Sequence, residues 1–219
     1  MKYLFIPLLF IFFSCSTPQK DEYTLNLEGF VEASQHIYGG KADDLLTFAD
    51  ISAFSDSIVG TSIGNFQFQD YYGNDVDLKT NSKPVLMESF ASWCSPCISS
   101  IPALNQLSED YPEVRFIILA HDTSDKLEKY ANQLNPEIHL IPSDSIVNAS
   151  NVIKLKVGRF QSIFPFPATL SIGADGVIQN VMIGGPRAGT YGGKTTTEEE
   201  VFEINMERLG RELDHLISK

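Results

Sequence analysis

Between Val85 and Pro102 the chain reads Val-Leu-Met-Glu-Ser-Phe-Ala-Ser-Trp-Cys-Ser-Pro-Cys-Ile-Ser-Ser-Ile-Pro. No other stretch limits the possible fold so much. Val85 to Met87, with Phe90 beyond, is a short apolar run of the kind that forms a buried strand, and Ile98, Ile101, Leu104 and Leu107 then recur at helical spacing. A strand, a tight turn and a helix are predicted in that order. The two thiols, Cys94 and Cys97, stand where the turn becomes the helix.

That placement has a chemical consequence. The first turn of a helix has unsatisfied backbone N–H groups and the positive end of the dipole, so a thiolate at Cys94 is stabilised there. The thiolate is the attacking species, and a lowered pKa makes Cys94 reactive near neutral pH. Two intervening residues bring the sulfurs within bonding distance. Pro96 suits a first helical turn, where its missing N–H costs nothing.

Trp93 directly before the first Cys, Pro96 before the second, Glu88 six residues ahead of Cys94 and Pro102 eight beyond it resemble the thioredoxin superfamily. The phrase Glu-Ser-Phe-Ala-Ser-Trp-Cys-Ser-Pro-Cys is most similar to its TlpA/ResA-type branch, membrane-tethered extracytoplasmic thiol–disulfide proteins. The resemblance implies an α/β thioredoxin fold, a central mixed β-sheet flanked by helices, with an N-terminal β-hairpin extension. It implies catalytic roles for Cys94 and Cys97, with Glu88 as a buried acid that takes a proton from Cys97. Burial would push such a carboxyl up toward neutrality. Many TlpA-type proteins have Asn at the Glu88 position, and some carry a second acid where this chain has Ser100. Further on, Pro167-Ala-Thr-Leu is similar to the strand start that carries the family's cis-proline, which faces the two cysteines. Substrate-binding roles thus fall to Trp93, Pro96, Phe166 and Pro167, and Phe166 is larger than the residue usual before that proline. The resemblance implies no cofactor beyond the Cys94–Cys97 disulfide itself.

The start of the chain suggests an address. Tyr3 to Phe13 is an apolar run of eleven residues, short of the roughly 20 that span a bilayer, and reads as a signal-peptide core over residues 1–14. Ser14 before Cys15 resembles a bacterial lipoprotein signal, with Cys15 lipidated as the mature N-terminus; the alternative is an ordinary signal peptide whose Cys happens to fall at the cleavage site. Lipidation of Cys15 would leave Cys94 and Cys97 to pair with each other. A structural staple gains most by closing a long loop, and this pair closes almost none, so chemistry is the better reading.

The expected domains are the leader 1–14, a tether and elaboration over 15–60, and a thioredoxin-like domain over 61–219. Residues 16–22 read as a polar tether. Tyr23, Leu25 and Leu27 alternate as in a strand, and Glu28 to Ile63 gives no clean period. Phe66 and Phe68, a turn at Tyr72 to Asp75, then Val76 and Leu78 predict a hairpin. Val114 to Ala120 predicts a second buried strand, parallel to the first. Asp125 to Leu134 reads as a helix, Ile138 to Ile141 as a short extended piece, and Ser143-Asp144 as the cap of a helix through Ile153. Asp175-Gly176 is the turn of an antiparallel hairpin. Gly184 to Thr196 reads as a long loop. Thr197 and Glu200 form a capping box ahead of a C-terminal helix with Phe202, Met206, Leu209, Leu213 and Leu216 on one face.

Residues 1–14 hold one of the 16 basic residues and no acid, so 15 basic face 28 acidic residues beyond them; nucleic acid is excluded as a partner on that balance. One Cys-x-x-C supplies two zinc ligands, without a second pair or a His-x₃₋₅-His, and Ile98 stands where haem attachment needs His, so no metal is expected. Two function classes follow. The first is an envelope thiol–disulfide oxidoreductase on the periplasmic side, lipid-anchored through Cys15, that reduces disulfide-containing envelope proteins, apocytochrome c being one candidate, and draws on a membrane thiol electron donor. The second is a redox-switched binding or chaperone-like module without turnover; a disulfide-donating oxidase is a further alternative.

Overall fold

The apolar run at Val85 forms the middle of the molecule. The computed structural model describes residues 20–38, 46–78, 83–147 and 152–218; the leader and Cys15 lie outside them. Strand β3 (Val85–Phe90) is buried at all six positions. On one side it pairs in parallel with β4 (Arg115–Ala120), which pairs in parallel with β5 (Ile138–Ile141). On the other it pairs antiparallel with β8 (Ala168–Ile172), followed by antiparallel β9 (Ile178–Ile183). The result is a mixed five-stranded sheet of order β5-β4-β3-β8-β9, the thioredoxin arrangement expected.

Both faces of this sheet are covered, as its parallel half requires. Leu86 and Phe90 of β3, with Phe116 and Ile118 of β4, meet helix α3 (Ser95–Asp110) and helix α5 (Glu198–Ile217). The alternate residues Val85, Met87, Ile117 and Leu119 point the other way. There they meet two small hairpins: β1 (Gln67–Gln69) with β2 (Asp75–Asp77), and β6 (Leu155–Val157) with β7 (Phe160–Ser162). The first hairpin is the predicted one; the second has no counterpart in the sequence reading.

The N-terminal segment packs into this same core. Helix α1 (Glu22–Tyr38) stands where alternation suggested a strand. Tyr23 and Leu27 are one helical turn apart as well as four residues along a strand, and both are buried while Leu25 is 54% exposed, which only the helical period satisfies. Helix α2 (Phe48–Ile58) begins at a Thr47–Asp50 capping box. Phe54 sits at the junction, its ring centroid 6.3 Å from Tyr23, 5.1 Å from Phe30 and 5.4 Å from Phe164. The Tyr23 hydroxyl donates to the Gln161 carbonyl at 2.7 Å, and the Gly60 N–H donates to the Ile178 carbonyl at 2.8 Å.

Other expectations need correction. The helix foreseen over 125–134 is a 3₁₀ turn, Ser124–Lys126, and a four-residue α4 (Glu128–Ala131). Thr123 commits its hydroxyl to the Asp125 carboxylate and caps no backbone N–H. Ser143 and Asp144 start no helix over the described residues to 147: the Ser143 hydroxyl faces the Ser145 and Lys156 carbonyls, and Asp144 accepts from the Gly158 N–H. The loop expected over 184–196 contains a hairpin, β10 (Gly189–Tyr191) with β11 (Lys194–Thr196). Its turn is Gly192-Gly193, both at positive φ, 59° and 80°, as a two-residue hairpin turn demands. Helix α5 begins at the expected Thr197–Glu200 box, but Val201 and Asn205 take buried places and Phe202 does not.

Removing the Phe54 ring is expected to cost about 3–5 kcal/mol. Urea unfolding of Phe54→Ala should show one transition at lower midpoint; an unchanged midpoint would mean that α2 rides on the surface.

Candidate active site

The loop Ala91–Cys94 leaves the end of β3 and turns straight into α3. It is held from three directions. Ser92 donates through its N–H and hydroxyl to Asp122, at 2.6 and 2.8 Å; the Tyr130 hydroxyl donates to the Ser92 carbonyl at 2.9 Å; and the Cys94 N–H donates to the Ala91 carbonyl at 2.9 Å. Cys94 is the N-cap of α3, with extended backbone, and its Sγ accepts from the Cys97 N–H at 3.3 Å. Pro96 lies in the first turn, where a missing N–H costs nothing.

The two cysteines are joined as a disulfide, with Cα atoms 5.3 Å apart. Cys94 is 4% exposed and Cys97 fully buried. When the pair is reduced, the N–H that points at Cys94 Sγ favours a thiolate there. Cys97 lacks such a donor and lies under the turn, its Sγ 3.9 Å from the Ser89 carbonyl oxygen. A Cys97 thiol therefore needs a base.

Glu88 occupies the middle of β3 on the α3 side, 2% exposed. The Ser100 hydroxyl, one helical turn after Cys97, lies 2.7 Å from Glu88 Oε1 and 2.8 Å from the Cys97 carbonyl oxygen. One hydroxyl proton serves one acceptor at a time, so Ser100 links the acid to the backbone of the buried cysteine. The Thr169 hydroxyl donates to Oε2 at 3.1 Å. Burial pushes the Glu88 carboxyl above its ordinary value, and Ser100, the charge of Arg208 and Thr169 pull it part of the way back. A buried carboxyl raised in this way can act as a proton acceptor.

The Phe166–Pro167 bond is cis, and the Ala168 N–H beyond it donates to the Ser89 hydroxyl at 2.8 Å, which ties this turn to β3. Phe166 meets Trp93 edge to face, centroids 5.6 Å apart, and His121 packs on both, at 6.2 Å from Trp93 and 5.7 Å from Phe166. Trp93 itself is 66% exposed and so is not part of the core. The structure thus gathers Cys94, Cys97, Glu88, Trp93, Pro96, Phe166 and Pro167 in one place. Sequence reasoning missed His121, Asp122, Tyr130, Thr169 and Arg208, and met Ser100 only as a missing acid; a polar residue at an inward position of a predicted strand, as at Thr169, was the available signal. Among the described residues no group of three or more His, Cys, Asp or Glu could hold a metal.

The AhpC/TSA family profile matches residues 59–181, more than half of the chain. A thioredoxin of Aspergillus fumigatus, Asp f 28, is 41% identical over 56 residues, which are 26% of this chain and 49% of that protein; the chain thus spans about half of that relative's length. The thiol-disulfide oxidoreductase ResA of a Bacillus cereus strain is 28% identical over 127 residues, 58% of this chain and 70% of ResA. A solved candidate thiol:disulfide interchange protein DsbE from Chlorobium tepidum superposes with a TM-score of 0.50 at 19% identity, over 72% of this chain and 96% of that one. At that identity the likeness speaks for the fold alone.

Because folding raises the Glu88 carboxyl, its contribution to stability is full below the unfolded value, about pH 4, and is lost as pH rises through the folded one. Glu88→Gln has no charge to bury. It is expected to unfold at a higher urea concentration than the parent at about pH 8, with the gap closing toward about pH 4. A gap that ignores pH would mean that Glu88 does not change charge.

Proposed function

The chain belongs to the AhpC/TSA family as a thioredoxin-fold thiol–disulfide oxidoreductase, and on that premise we propose that it is a protein-disulfide reductase of the cell envelope. The observation that carries this reading is the asymmetry of the two sulfurs. Cys94 caps a helix whose N–H points at its sulfur, while Cys97 is sealed beneath, linked through Ser100 to an acid.

In the reduced protein the Cys94 thiolate attacks one sulfur of a substrate disulfide. The substrate S–S bond breaks, one substrate thiolate leaves and takes a proton, and a mixed disulfide forms at Cys94. Cys97 then gives its proton to the Glu88 carboxylate and attacks Cys94 Sγ. The second substrate thiolate leaves, and the Cys94–Cys97 disulfide remains. Two electrons have passed from the protein pair to the substrate. Exposed Trp93, Phe166 and the cis-Pro167 turn are the substrate-binding surface, and Pro96 stiffens the loop that presents Cys94. The chemistry needs no cofactor besides this pair.

The envelope setting rests on the apolar leader and on Ser14-Cys15, which outline a lipid anchor at Cys15 on the periplasmic side of a membrane. There the partners are disulfide-containing envelope proteins, apocytochrome c among the candidates, and the oxidised pair is returned to dithiol by a membrane thiol donor.

In an insulin-reduction assay with a thiol donor, Cys94→Ser is expected to fall to the uncatalysed rate, and Cys97→Ser to accumulate a mixed disulfide at Cys94. Binding of partners without turnover in the unaltered protein would instead identify a redox-switched module.

A further inference from the structure

Strand β8 leaves the cis-proline turn at Ala168 and runs antiparallel beside β3, where Thr169 stands directly opposite Glu88. Side chains opposite one another on paired strands share a face of the sheet, with Cβ atoms about 5 Å apart. The threonine hydroxyl therefore meets the acid, and it donates to Glu88 Oε2 at 3.1 Å. From α3 the Ser100 hydroxyl reaches Oε1 at 2.7 Å. Thr169, Ser100 and Glu88 are all buried, and among the described residues no other hydrogen bond reaches the carboxylate.

Strand β8 is buried at all five positions. Valine would suit such a strand as well as threonine does and would bring no polar group to satisfy. The hydroxyl at 169 is committed to Glu88, and its donor favours the ionised carboxylate; without it one oxygen of a buried charge loses its partner. The two donors come from the two elements that carry the rest of the site. Ser100 stands one helical turn after Cys97, and Thr169 stands two residues after Pro167. Between them in the chain order of β8, the Ala168 N–H donates to the Ser89 hydroxyl at 2.8 Å, so consecutive residues of β8 hold consecutive residues of β3. The charge that acts on the acid from α5 is that of Arg208, which donates to Asn205 and to the Gly184 carbonyl. Strand β4 sets apolar Ile118 beside Glu88, and the two thiols stand at the head of α3.

We propose that Thr169 is a positioning residue for the dithiol chemistry: its hydroxyl, with that of Ser100, holds the Glu88 carboxylate as the acceptor for the Cys97 proton. The strand that begins at the cis-proline turn thereby fixes the base beneath the cysteines. This inference rests on the reading of Glu88 as that proton acceptor.

The test is the pH profile of mixed-disulfide resolution. The full chain with Cys15→Ser is reduced and mixed with equimolar 5,5′-dithiobis(2-nitrobenzoate). The Cys94 thiolate attacks the reagent disulfide and releases a first thionitrobenzoate. Cys97 then passes its proton to Glu88 and attacks Cys94 Sγ, releasing the second. In T169V, which keeps the branched shape and loses the donor, the midpoint of the second step is expected to rise by about one pH unit, so the rate on the acid side falls about tenfold. T169S keeps the donor and is expected to keep the parental midpoint, while T169A, which differs from T169S by that oxygen alone, should move as T169V does. Equal midpoints in T169S and T169A overturn the proposal, even if T169V does not fold; so does a lower plateau at the parental midpoint in T169V, which means packing alone. A parental midpoint in T169V and T169A, with the acid limb lost in E88Q, rejects Thr169 and leaves Glu88 as the base. An unaltered limb in E88Q removes Glu88 and the proposal together.

Discussion

A strand buried on both faces has no solvent side, and β3 makes the rest of the molecule answer to that constraint. All six residues from Val85 to Phe90 are buried. Their alternation sends Leu86 and Phe90 toward α3 and α5, and Val85 and Met87 toward the hairpins and the core shared with α1 and α2. The one acid in the run has to find hydrogen bonds or stay neutral, and Glu88 finds them in Ser100 and Thr169. Structure and chemistry meet at that position: the fold buries the carboxyl, and burial raises its pKa above the ordinary value.

The two cysteines receive opposite treatment from elements only three residues apart. Cys94 gains from the helix end, where a backbone N–H is aimed at its sulfur. Cys97 is inside, where an apolar setting disfavours a thiolate. The proposed mechanism uses this asymmetry, with Cys94 as attacker and Cys97 as resolver. The loop that leads into α3 is pinned by Asp122 and Tyr130, so Cys94 sits on a held turn while the Trp93 ring stays exposed beside it.

Much of this was legible in the sequence. The strand, turn and helix follow from local periodicity, and Glu88, Trp93 and Pro167 follow from motifs that resemble those of the thioredoxin superfamily. What was not legible depends on contacts between distant segments. Tyr23 and Leu27 fit a strand or a helix equally, and only the ring of Phe160, stacked 5.3 Å from Tyr23, decides which is buried. The β10–β11 hairpin is polar on both sides, so no alternation marked it, although Gly192-Gly193 was a usable turn signal. Ser100 and Thr169 acquire meaning only when α3 and β8 close over the same carboxyl.

The reductive direction is the central claim, and the reduction potential of the Cys94–Cys97 couple bears on it most directly. The full chain would be equilibrated against glutathione and dithiothreitol buffers and the fraction oxidised followed by thiol alkylation. A reductase should lie near the thioredoxin value, about −270 mV; a value near the oxidant DsbA, about −120 mV, would make the protein a disulfide donor and contradict the account.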